Sequence, residues 1–208
     1  MAALRARQGA AGMKRKASAR RLREITGIGL IAAGLVFAGY GIYIPAKAAL
    51  AQVLLERAWR AAPLHGSAPR PWPWADTRPV ARISVPKLDV SLIVLSGEHG
   101  GSLPFGPGHV GGTSYPGEPG HSVVAAHRDT HFAFLRLIRV GERITVERPG
   151  EVRTTYTVVE KDVLDVRRQK IALDPMSDLL TLVTCYPFTD WNPRGPLRFV
   201  VTAVADPA

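Results

Sequence analysis

Twenty consecutive residues, Ile25 to Ile44, carry no charge, and none appears between Glu24 and Lys47. At about 1.5 Å per residue, a helix of that length crosses a hydrocarbon core about 30 Å thick. The run therefore reads as one transmembrane helix over 25–44, behind a basic segment over 1–24. Arg5, Arg7, Lys14, Arg15, Lys16, Arg20, Arg21 and Arg23 precede it with no acid among them. Positive charge on that flank holds the N-terminus in the cytoplasm and sets Tyr40 and Tyr43 near the far interface. The rest of the chain is then expected outside the inner or plasma membrane, in the periplasm or an equivalent space. A cleaved signal peptide is the competing reading, because Ala46-Lys47-Ala48 resembles a small-residue cleavage site. Against it, the apolar core of a signal usually runs to only about 7–15 residues.

The net charge of +10 suggests nucleic acid until its placement is considered. Eight of 27 basic residues lie before Glu24, leaving 19 against 17 acids in the remainder. That balance is ordinary for an exported domain, and no nucleic-acid partner is expected.

Beyond the span, Leu50, Val53, Leu54 and Ala58 recur at helical spacing up to Trp59. They predict a helical stalk over 45–60, lying near the membrane surface. Pro63, Pro69, Pro71, Pro73 and Pro79 then mark a semi-rigid linker over 61–79. Trp72 and Trp74 within it are expected to cover an apolar patch. From residue 80 to 208 the helical period gives way to short stretches rich in β-branched residues, bounded by turn formers. The candidate strands are Val80–Val85, Val90–Leu95, Ser122–Ala126, Arg143–Glu147, Val152–Val159, Leu179–Thr184 and Leu197–Val204. So many short strands in one domain predict an all-β barrel or sandwich, either of which limits exposed edges. Gly97 to Gly120 holds nine glycines and four prolines, too irregular for a hairpin and suited to a binding loop.

Cys185 is the only cysteine. An exported chain that keeps one unpaired thiol presents a candidate site. Cys185 ends one strand candidate, and His127 follows another, so both stand at a rim. Thiolate attacks carbonyl carbon and imidazolium returns a proton to the departing amine, which together make acyl transfer possible. With ordinary pKa values, only on the order of one per cent of molecules would hold thiolate and imidazolium together near neutrality. A nearby cation raises that fraction and stabilises the oxyanion. Arg194 and Arg198 both follow Cys185 closely enough to serve. Arg198 enters a strand that fixes its direction, whereas Arg194 belongs to the turn-like stretch Trp191-Asn192-Pro193-Arg194-Gly195.

Thr181-Leu182-Val183-Thr184-Cys185, with Arg198 thirteen positions on, resembles the cysteine and arginine motifs of the sortases. Ala125-Ala126-His127-Arg128-Asp129-Thr130-His131-Phe132 is similar to the histidine motif of that family, with alanine where glycine is commoner before the histidine. Gly106-Pro107-Gly108-His109 and Pro116-Gly117-Glu118-Pro119-Gly120 match further, so the likeness runs from about Val80 to Val204. Tyr186-Pro187-Phe188 looks like the class D and related proteobacterial (class GN) sortases. The resemblance implies an eight-stranded sortase β-barrel with short helices, behind the transmembrane helix. It implies a membrane-anchored transpeptidase that cleaves an LPxTG-like sorting signal of an exported client protein through a thioester on Cys185. The acyl group then passes to an amine acceptor in the cell envelope. His127 is the proton carrier, Arg198 the stabiliser, and Thr184, His109 and Tyr186 are candidate substrate-binding positions.

His127 and His131 match the spacing of a zinc helix, but Arg128 stands where the glutamate would be and the preceding residues read as strand. No metal and no cofactor is expected. Asp129 is expected to cap a turn, and His121, like His109, flanks the glycine-rich segment. Two other functions use the same residues differently. A cysteine hydrolase would release the acyl group to water, and an anchored surface-binding module would have no chemistry at Cys185.

Overall fold

The computed structural model describes residues 2–62, 67–98, 100–150, 152–189 and 195–207, with side chains from Thr26 onward. A helix, α1 (Ala2–Arg60), opens the chain. Its stretch from Thr26 is long and apolar enough to cross a membrane. Contacts divide the chain into two units, 1–49 and 50–208. The first is helix alone.

The second unit is an eight-stranded closed barrel: β1 (Pro79–Val85), β2 (Val90–Ser96), β3 (Gly108–His109), β4 (His121–Ala125), β5 (Arg143–Arg148), β6 (Val152–Asp165), β7 (Leu179–Cys185) and β8 (Leu197–Ala205). Around the barrel the order is β1-β2-β3-β4-β7-β8-β6-β5, with β5 returning to β1. Pairing is antiparallel except at β2–β3 and β4–β7. Closure of the sheet on itself leaves no free edge.

Alternation along each strand explains the filling. In β1, Ala81, Ile83 and Val85 are inaccessible while the residues between them are half-exposed. Their counterparts Val124, Ile144, Val146, Leu180, Leu182 and Val201 complete one core with Phe132, Leu135 and Ile138. Each such side chain contributes roughly 1.5–3 kcal/mol on burial.

Every strand candidate is present, and two features go beyond them. β3 is a two-residue strand within the glycine-rich segment, where a Cβ on Gly108 would run into the Gly97 carbonyl and Glu98 Cα. β6 runs six residues past Val159, because its first half pairs with β5 and its second half with β8. A register shift between Val158 and Glu160 joins the two halves. The stalk also differs from expectation. Within the barrel unit, the buried face of the helix is Ala51, Leu55, Ala58 and Trp59, while Leu50 and Val53 are exposed. The face is chosen by its partner, a cluster of Ile93, Leu95, Trp72 and Phe105. Gln52 Nε2 adds a hydrogen bond to the Phe105 carbonyl at 2.8 Å. Trp72 covers that patch as expected, edge-on to Phe105, whereas Trp74 is 82% exposed. The end of the proline segment packs as well, with Ala75 and Thr77 buried and the Thr77 hydroxyl donating to the Ser96 carbonyl at 2.8 Å.

Candidate active site

The strand register brings three distant stretches of sequence to one end of the barrel. β4 and β7 run parallel, with Val124 beside Leu182 and Ala125 beside Val183. The Ala126 N–H continues the ladder to the Val183 carbonyl at 3.1 Å. Two positions past the Ala125 and Val183 pair, the two chains carry His127 and Cys185. Across the antiparallel β7–β8 ladder, Cys185 lies directly opposite Arg198, and the Tyr186 N–H bonds to the Leu197 carbonyl at 3.0 Å.

Alternation then sets the face. Leu180 and Leu182 of β7, Val124 of β4 and Val201 of β8 fill the barrel, so their neighbours Val183, Val123 and Val200 point outward. Cys185, His127 and Arg198 share that outward parity. Val123, Val183 and Val200 form an apolar floor beside them, packed by Val110, Leu164 and Ile171. Cys185 and Arg198 are half-buried and His127 is exposed. The Arg198 guanidinium is braced at one nitrogen, Nη1, by the carbonyls of Gly195 at 2.6 Å and Leu197 at 2.9 Å. Arg194, the alternative cation, lies outside the described residues.

Two inward or lateral groups tie the exits of β4 and β7 together. Thr184, buried, donates from Oγ1 to the Ala126 carbonyl at 2.7 Å. Its hydroxyl therefore spans the strands on the core side instead of facing the outer groove. Arg128, 4% exposed, donates from Nη1 to the Pro187 carbonyl at 2.7 Å and meets Asp129 at 3.4 Å. Nothing in the sequence pattern distinguished Arg128 from a surface cation, because only the fold sets the two exits side by side. The His127 carbonyl accepts from the Phe132 N–H at 3.0 Å, closing the turn that follows it.

His109 does not face the groove. It is buried, its Nε2 lies 3.0–3.1 Å from the Ser114 carbonyl, the Thr113 carbonyl and the Thr113 hydroxyl, and its ring stacks on Tyr115 at 4.6 Å. Tyr186 stacks on Phe199 at 6.1 Å, and Phe188 meets Phe199 edge-on at 5.3 Å, an aromatic group whose Phe188 and Phe199 pack against the barrel core, on the face opposite the outward Cys185 and Arg198. His131 is held below the ordinary histidine range by burial, against a bond to the Pro104 backbone and with help from the charge of His127. Among the described residues no group of three or more histidine, cysteine or carboxylate side chains is placed to hold a metal ion.

The sortase-domain family model matches residues 83–206. Sortase D of Bacillus subtilis (strain 168) is 28% identical over 195 residues, covering 86% of this chain and 97% of the relative. Among solved structures, sortase A from Corynebacterium diphtheriae is similar with a TM-score of 0.56 at 27% identity, covering 65% of this chain and 64% of the other. Sortase C-1 from Actinomyces oris is similar with a TM-score of 0.53 at 31% identity, covering 62% of this chain and 74% of the other. A family match across the whole barrel, with relatives from several genera built on the same closed sheet, places the chain in the sortase family of cysteine transpeptidases.

Proposed function

We propose that this sortase cleaves an LPxTG-like sorting signal on an exported client protein and transfers the acyl fragment to an amine in the cell envelope. The observation that carries the reading is the register that sets Cys185 opposite Arg198 and in step with His127. Cys185 thiolate attacks the scissile carbonyl carbon, and Arg198 offers fixed positive charge where the oxyanion develops. As the C–N bond breaks, His127 gives its proton to the departing amine and the acyl group remains on sulfur as a thioester. An incoming amine attacks the thioester, His127 takes a proton from it, and the thiolate leaves with the enzyme restored.

The apolar cluster of Val123, Val183 and Val200 lies on the outward face that carries Cys185, where it suits the apolar side chains of such a signal. Thr184 and His109 serve this reading as supports, one bridging β4 to β7 and the other bracing the glycine-rich loop. A class D-like assignment is supported by Tyr186-Pro187-Phe188 and by the likeness to a sortase D. The basic flank supports an N-terminus in the cytoplasm and a barrel on the far side. Anchoring then raises the effective concentration of the enzyme toward tethered clients.

The test is mass spectrometry of the full chain in detergent with a panel of LPxTG-like peptides and an amine acceptor. The expected result is an adduct on Cys185 that passes to the amine, absent in Cys185→Ala and strongly reduced in His127→Ala and Arg198→Ala. An adduct lost only to water identifies a hydrolase. Turnover that survives Cys185→Ala refutes the assignment.

A further inference from the structure

We propose that His121 is a positioning residue for peptide binding, whose ring moors the 166–178 segment as a wall of the groove beside Cys185. The inference rests on the reading of that groove as the peptide site.

His121 opens β4 and is buried, yet no step at Cys185 uses it. Its ring makes two bonds. The Asp174 N–H donates to Nδ1 at 3.1 Å, and Nε2 lies 2.8 Å from the Thr181 hydroxyl. A backbone N–H only donates, so Nδ1 must offer a lone pair. The ring is therefore neutral, with its one proton on Nε2 and given to Thr181.

Asp174 organises the turn it belongs to, accepting from the Met176 N–H at 3.1 Å and the Ser177 hydroxyl at 2.5 Å. A second mooring lies beside the first, where the Asp178 carboxylate accepts from the Gly120 N–H at 2.6 Å. Three residues before Asp174, Ile171 packs on the floor of Val123, Val183 and Val200. Elsewhere the segment is open to solvent, with Val166 50%, Leu173 49% and Met176 93% exposed. A segment with so little burial of its own is held where it is by its tethers. His121 is the tether that joins it to β4, the strand that leads to His127.

The mooring is sensitive to acid. Burial holds the ring below the ordinary histidine value, with the Asp174 carboxylate pulling the other way. Protonation puts a second N–H on the ring at Nδ1, donor against the Asp174 donor. The moored form is thus fully present above about pH 6.5 and is lost as pH falls through the lower folded value. The ionisable groups around the ring are Asp174 and, beyond Gly120, Asp178. From β7 the ring meets the neutral Thr181 hydroxyl, and from the β3–β4 loop Ser114 bonds its backbone carbonyl.

The experiment compares the full chain in detergent with His121→Ala and His121→Asn. In His121→Ala at neutral pH, amide exchange over 170–178 is expected to rise about tenfold, while β1 and β2 exchange as in the parent. The inhibition constant of a Leu-Pro-Ala-Thr chloromethyl ketone on Cys185 is expected to rise about fivefold, with iodoacetamide reacting at the parental rate. His121→Asn keeps an acceptor near the Nδ1 position and does not titrate, so its exchange is expected to stay near the parental level and flat with pH. The parent is expected to open as pH falls below the ordinary histidine value. Unchanged exchange in His121→Ala, or raised exchange with an unchanged inhibition constant, overturns the proposal. Labelling of the parent by the chloromethyl ketone no faster than by iodoacetamide instead overturns the groove reading, a separate outcome.

Discussion

Cys185 and Arg198 face each other as direct partners in the β7–β8 ladder, so the spacing between thiol and guanidinium is set by backbone pairing. A lysine at 198 keeps the charge but loses the planar fork and its bracing to the Gly195 and Leu197 carbonyls. Arg198→Lys is expected to lower kcat by about a hundredfold, within the range seen on removing one oxyanion donor. KM should change little, and steady-state kinetics on an acylating peptide checks the split.

Thr184 holds the exits of β4 and β7 together from the core side. Thr184→Val removes the donor and leaves the buried Ala126 carbonyl without it, at a cost of about 1–3 kcal/mol. Urea denaturation should show the loss. Thr184→Ser, which keeps the hydroxyl, should recover most of it and most of the kcat.

Leu55 is fully buried where the stalk meets Phe105 and Trp72, in the segment that also carries Pro104, the backbone partner of His131. Leu55→Ala is expected to cost about 2–5 kcal/mol of stability, as large-to-small changes at packed sites do. Thermal unfolding of the detergent-solubilised chain measures it. A loss below about 0.5 kcal/mol, the level of ordinary surface substitutions, would mean the stalk contact is not part of the folded unit.

The Glu142 carboxyl is held below its ordinary value by the Lys87 ammonium at 2.9 Å and by the Arg139 N–H. A depressed carboxyl stabilises the fold above its unfolded value, near 4.5, and the contribution disappears as pH falls through the lower folded value. Glu142→Gln should therefore be less stable than the parent at neutral pH and converge with it as pH falls well below 4.5. Melting temperatures across that range provide the measurement.

Most of the barrel was legible because each strand carries its own signal. The alternation of Ala81, Ile83 and Val85 needs no knowledge of partners. β3 left no such signal, since two residues cannot show a period, and neither did the far half of β6, where the exposed Glu160 to Asp162 interrupt the apolar alternation. Cys185, His127 and Arg198 stand out in the sequence as candidates by residue type and strand-end position. The orientation of His109 was not legible, because its bonds to Thr113 and Ser114 depend on the path of an irregular loop. The burial of Arg128 and the mooring at His121 were equally hidden. Each joins residues more than fifty positions apart, across the parallel β4–β7 pair that no local pattern encodes.

That parallel pair has a consequence for how activity is acquired during folding. Local hairpins such as β1–β2 and β5–β6 close short loops and form early, whereas β4 and β7 must find each other across more than fifty residues of intervening chain. Until they do, the thiol has neither its imidazole nor a groove beside it. A partly folded chain is thus chemically silent, and the ability to take up an acyl group should emerge only once that long-range pairing is made. A transpeptidase that cannot act before it is complete is spared from acylating itself or its neighbours while still being assembled.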